Sequence, residues 1–173
     1  MFAVDFESYH LLQCITFLLC VAATLLSAIS LATPSWKLSM SAGTEYGIFE
    51  SCKIRSSKED CQLYTNVPDY INATRAFVIL GVVGIVFGVF LSLIHALGKM
   101  KKKGHVVLGI VLLLSCVFFL VGCSVYTAKT RENLLVGEEF GYSLWMAWAA
   151  CIISFIAAPV GFLSKYGNYG YMS

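Results

Sequence analysis

Charged side chains are scarce in this chain. Lys, Arg, Asp and Glu together make up 13% of its 173 residues, about half the share of an ordinary soluble domain, while apolar types reach 58%. The distribution says more than the total. Four runs, at about residues 11–32, 76–97, 106–126 and 142–163, contain no Lys, Arg, Asp or Glu, and the one His among them, His95, lies near an end. Buried helices of a soluble protein would carry charged stripes at helical period, and these runs carry none. Each has about the 20 residues that a helix needs to cross a bilayer.

Other absences narrow the function. The N-terminal stretch Met1–His10 holds Asp5 and Glu7 and no Lys or Arg, so the first run is expected to stay as a span and not to act as a cleaved signal. There is no phosphate-binding loop, no His-Glu-x-x-His helix and no Gly-x-Ser-x-Gly elbow. No acidic pair lies inside the runs to carry protons or ions across the bilayer. His10, His95 and His105 all fall near expected cytosolic borders, where an interfacial place suits them. Enzyme, carrier and nucleic-acid functions are therefore not expected, and neither is a cofactor, a metal or a small-molecule substrate.

Positive charge, though sparse, is concentrated. Lys99, Lys101, Lys102 and Lys103 crowd the short connection 98–105 with no acid among them, and short Lys-rich loops stay in the cytosol. With four spans both termini are then cytosolic, and residues 33–75 and 127–141 form extracellular loops of a single domain, 1–173, in the plasma membrane. Cationic side chains beside a membrane also attract anionic headgroups.

Of seven cysteines, Cys14, Cys20, Cys116, Cys123 and Cys151 lie within the runs. Only Cys52 and Cys61 fall in an exported loop, where an isolated pair reads as a disulfide. That loop has no histidine and no second cysteine pair, which argues against zinc. Closing so short a loop stabilises it by roughly 2–3 kcal/mol. Trp36, Leu38 and Met40 alternate with polar residues, as do Leu63, Thr65 and Val67, a period of two that predicts strands. Between them Tyr46, Gly47, Ile48 and Phe49 are apolar enough for a sheet or a lipid surface. The expected fold is a mostly α membrane protein, four transmembrane helices under a small extracellular antiparallel sheet in the first loop.

Trp36, then Gly47-Ile48-Phe49-Glu50-Ser51-Cys52, then Cys61 resembles the first-loop signature of the claudin superfamily. Tyr70-Ile-Asn-Ala-Thr-Arg-Ala-Phe77 and Gly141-Tyr-Ser-Leu-Trp-Met-Ala-Trp148 are similar to the branch of peripheral myelin protein, the epithelial membrane proteins and the lens-fibre membrane intrinsic protein. The resemblance covers essentially the whole chain. It implies a left-handed four-helix bundle without enzymatic activity, and it marks Trp36, Gly47, Phe49 and Arg75 as family positions. Arg75 would link the sheet to the bundle, or pair with an acid such as Asp69. Phe49 stands where the family usually has Trp, and the final Gly-Tyr-Met-Ser lacks the hydrophobic terminal residue by which typical claudins engage scaffolding domains.

Gly81, Gly84 and Gly88 have the spacing that lets helices approach closely, expected within the bundle, against Ala22, Ala23 and Ala28, or else at a dimer face. Asn72-Ala73-Thr74 is a glycosylation sequon, and Asn72 could equally cap the helix. Tyr142, Trp145 and Trp148 suit an interfacial belt. The expected partners are membrane lipids and, through the first loop, a second copy or another membrane protein, with Ile48 and Phe49 as the contact surface at cell-cell junctions. A paracellular barrier or pore, and an auxiliary subunit of a channel or receptor, are the alternatives.

Overall fold

The computed structural model describes residues 6–55, 58–97 and 104–163. The lysine cluster and the C-terminal tail lie outside them. Four long helices carry the expected runs: α1 (Phe6–Ala32), α2 (Asp69–Ala96), α3 (Gly104–Glu132) and α4 (Tyr142–Leu163). All four are long and apolar enough to cross a membrane. Three of them outlast their apolar runs, α1 by starting at Phe6. α2 begins at Asp69 and takes in Asn72 and Arg75, and α3 continues past Tyr126 to Glu132. Backbone hydrogen bonding propagates wherever nothing breaks it, whereas apolarity stops with the hydrocarbon.

The helices are apolar outside, and their interior mixes small and polar residues with large apolar ones such as Ile85, Leu112 and Phe119. Leu18, Val83, Phe90 and Phe155 are exposed, while Thr16, Ser27, Ser92, Ser115 and Ser154 are buried. This distribution suits a lipid solvent, in which large apolar side chains can face outward at no cost and small residues allow close packing. Buried positions on α2 recur as Thr74, Val78, Gly81, Ile85, Gly88, Ser92 and His95, alternating steps of four and three that define a seam. The seam glycines Gly81 and Gly88, and the half-buried Gly84 beside them, face α3. A Cβ on Gly81 would meet Phe119 at 2.7 Å, one on Gly84 would meet Ser115 at 2.2 Å, and one on Gly88 would meet Leu112 at 2.8 Å. Packing is thus within the bundle, against α3 and not against the alanines of α1. His95 and His105 are also interior, buried edge to face with ring centroids 4.2 Å apart, which corrects the interfacial reading. The side chain of His10 is outside the described set.

Five strands make one antiparallel sheet: β1 (Lys37–Ser39), β2 (Thr44–Tyr46), β3 (Glu50–Arg55), β4 (Lys58–Leu63) and β5 (Glu138–Phe140), in the order β4-β3-β2-β1-β5. The first loop supplies four of them. β5 comes from the α3–α4 connection and pairs with β1, Leu38 facing Glu139. Its three residues, Glu-Glu-Phe, carry no alternation to betray a strand. β4 ends at Leu63, so Thr65 and Val67 fall in the link to α2. Cys52 and Cys61 face each other in the β3–β4 register and are disulfide-bonded.

Gly141 fastens the sheet to α4. Its N–H bonds the Trp36 carbonyl at 3.0 Å, and a Cβ there would lie 2.0 Å from the Ser35 carbonyl oxygen. At Gly161 an added Cβ would meet Leu108 at an ordinary 3.6 Å. Replacing Gly141 by Ala should therefore lower the apparent melting temperature in detergent, at a cost of about 1–3 kcal/mol for overpacking, while Gly161→Ala should change it little. Thermal unfolding of the two purified variants checks the contrast.

Candidate contact surface and its anchor

The signature residues meet at the seat of the sheet. Trp36 is wholly buried, its indole N–H donating to the Ser30 carbonyl at 2.8 Å and its ring standing edge-on to Tyr126 at 5.0 Å. Its backbone N–H bonds Tyr46 of β2. Gly47 makes the sharp return into β3. Its N–H donates to the Glu50 carbonyl at 2.8 Å, and a Cβ would lie 2.8 Å from the Pro34 Cα.

Arg75 joins sheet and bundle. From α2 its Nε–H donates to the Ile48 carbonyl at 2.6 Å, and a second N–H donates to Asn72 Oδ1 at 3.1 Å. The guanidinium lies 5.4 Å from the Phe49 ring centroid and 5.9 Å from that of Tyr64, within cation–π range. Its partners are a carbonyl, an amide and two rings, not the acid Asp69. Asn72 is itself inside α2, with Pro68 at the cap position, so it does not cap the helix. It is exposed, whereas the Thr74 of its sequon is buried and bonds the Tyr70 carbonyl at 2.8 Å.

The apolar pair expected to face outward does the opposite. Ile48 is 1% exposed and belongs to the same buried cluster as Trp36, and Phe49 is half-buried against it. Arg75 pulls the Ile48 carbonyl toward α2, and the Gly47 turn directs the side chain inward. The exposed apolar residues are Met40 (69%), Leu135 (72%) and Val136 (101%). The Met40 N–H bonds the Gly137 carbonyl at 3.0 Å, so these side chains share one rim where β1 ends, away from the α1 junction, and β5 begins. Leu63, also exposed, ends the edge strand β4. Leu135 and Val136 went unread because they lie in the second loop, and their only signal was two apolar residues beside the turn-forming Gly137.

Polar contacts brace that rim. Lys37 Nζ bonds Glu138 Oε1 at 3.0 Å across β1–β5, and the Leu135 N–H donates to Glu138 Oε2 at 3.0 Å. The Leu135 N–H, and then Lys37, hold the Glu138 carboxyl below its usual range. Glu50 lies near the cystine sulfurs, but these are committed to each other and are not metal ligands.

Fold and site together define a multi-pass membrane protein whose four helices carry a disulfide-stapled sheet on one end. The chain belongs to the PMP-22/EMP/MP20/Claudin family, whose profile matches residues 8–161. Among curated relatives, Claudin-4 of Bos taurus is 29% identical over 168 aligned residues, covering 80% of this chain and 79% of its own length. The lens fiber membrane intrinsic protein of Homo sapiens is 26% identical over 144, covering 78% and 80%. The p53 apoptosis effector related to PMP-22 of Danio rerio is 21% identical over 140, covering 79% and 75%.

Because the Glu138 carboxyl is held down, its contribution to stability is fully present above its ordinary value of 4.5 and is lost as pH falls through the lowered value in the folded protein. Glu138→Gln should therefore melt below the parent at neutral pH, and the gap should close as the solution is acidified below that point. Paired thermal scans across that range test it.

Proposed function

We propose that this chain is a non-enzymatic membrane organiser that mediates cell-cell contact through its stapled sheet, in the plasma membrane with both termini in the cytosol. The carrying observation is the apolar rim of Met40, Leu135 and Val136 where β1 and β5 meet, with Leu63 exposed at the opposite edge of the sheet. Exposed apolar side chains grouped on a rigid support mark a protein interaction site. The rim is held by the β1–β5 pairing and, through Trp36 and Arg75, by three of the helices. It is therefore preorganised, which lowers the entropy cost of meeting a partner. The contact surface moves accordingly from Ile48 and Phe49 to the rim, and the family residues Trp36, Gly47, Phe49 and Arg75 serve to seat it. The partner is a second copy or another membrane protein, with lipid around the helices. Asn72 remains the candidate glycan acceptor on this side of the membrane.

A fluorescent copy tagged at the C-terminus, expressed in non-adherent cells, should concentrate at borders between two expressing cells and not at borders with non-expressing ones. Replacing Met40, Leu135 and Val136 together by Ser should abolish that enrichment at unchanged surface level, as should replacing Cys52 and Cys61. Enrichment that survives the triple replacement rejects the rim, and equal distribution at both kinds of border rejects contact between like copies.

A further inference from the structure

A cavity of about 200 Å³ opens between the sheet and the ends of α2 and α3, lined by Lys37, Tyr46, Tyr64, Tyr70, Tyr126 and Asn133 among others. Its polar lining consists of hydroxyls, two amides and an ammonium, all able to donate hydrogen bonds, set beside the apolar Val67, Pro68 and Ile71, and no Asp or Glu lines it among the described residues. The Tyr64 hydroxyl is pushed up to about 12, first by burial and then by the neighbouring Tyr46 phenol, with Tyr70 adding to the effect, so these groups crowd one space. Lys37 gives one N–H to Glu138 and rests 4.7 Å from the Tyr46 ring centroid, which leaves further donors on the ammonium. A donor-rich cavity without a carboxylate suits an oxyanion.

Depth in the membrane narrows the choice. Tyr126 closes the apolar run of α3, and Asn133 is seven residues further on, or about 10 Å along a helix. On α2 the cavity touches Tyr70 and Ile71, about one turn beyond Arg75, where the apolar run stops. The cavity thus lies just outside the hydrocarbon border, within or against a headgroup layer that is about 5–8 Å thick on each side. We propose that it receives the phosphodiester of a phospholipid headgroup from the leaflet on the sheet side. Tyrosine hydroxyls and the Lys37 ammonium would hold the phosphate oxygens while the acyl chains run down beside α2 and α3. The inference rests on the membrane-spanning bundle and is independent of whether the rim meets another cell.

The test uses the full chain purified in a phosphate-free maltoside detergent, titrated with dihexanoyl-phosphatidylcholine, with dihexanoylglycerol, which has the same chains and no phosphate, and with inorganic phosphate. The phospholipid should raise the melting temperature and broaden its own phosphorus resonance, and dihexanoylglycerol should do neither. Tyr64→Phe with Tyr70→Phe keeps the rings and removes the hydroxyls, while Asn66→Trp fills the space from an exposed position on its lining. Each variant, once shown to be monodisperse with its disulfide intact, should bind the phospholipid about tenfold more weakly by the ligand-linked shift. Equal stabilisation by dihexanoylglycerol would overturn the proposal, as would parental affinity in the folded variants. Stabilisation by inorganic phosphate at the same concentration as the lipid would assign the cavity to a free anion and overturn the lipid source.

Discussion

One buried indole decides how the sheet sits on the helices. Ser30 is in the last turn of α1, where carbonyls lose their intrahelical donors, and the residue that would have bonded it, Pro34, has no N–H. The freed carbonyl accepts the Trp36 indole N–H, while the neighbouring Ile29 carbonyl still receives the Thr33 amide. That bond fixes the exit of the chain from α1. It also aims the Trp36 backbone so that β2 bonds one side and the entry to α4 the other, with Tyr126 of α3 closing on the ring. Truncating so large a buried side chain costs about 3–5 kcal/mol, and here it would also leave a buried carbonyl without its donor, about 1–3 kcal/mol more.

Below that junction the bundle is built for a solvent as apolar as its own side chains. With no hydrophobic gain from turning Leu or Phe inward, helix contacts depend on closeness and on interior polar bonds. The glycines of α2 bring α3 near enough for Ser115 and Phe119 to fill their space. Interior hydroxyls bond carbonyls: Ser154 that of Ala150, Ser115 that of Val111, and Ser30 that of Ser143 across two helices. Cys116 and Cys151 lie with their sulfurs 3.6 Å apart in the same interior. The sheet obeys the opposite rule. In water it needs a disulfide, a salt bridge and a covered underside to stay in place.

The parts of this architecture that follow from solvation were legible one residue at a time. Four uncharged runs have one stable setting, and two cysteines outside those runs, in a loop without histidine, have one simple fate. What escaped depends on partners distant in the chain. β5 exists because Glu138–Phe140 reaches β1 about a hundred residues away, and no local period announces it. Ile48 and Phe49 read as an outward tip, since apolarity in a polar loop looks the same whether it faces a partner or a core. Arg75 and Gly47 settle the direction. The histidines near the helix ends were placed at an interface by proximity alone, although α2 and α3 bring His95 and His105 together inside.

By itself the sequence determined the membrane, the number of spans and the staple, because the exclusion of charge from hydrocarbon and the pairing of two isolated cysteines in a polar loop are constraints borne by single residues. Tertiary structure alone decided which apolar side chains stay outside, where the fifth strand docks, and how four tyrosines surround one cavity. Those outcomes depend on distances between segments that share no local pattern, and such distances exist only once the helices have packed.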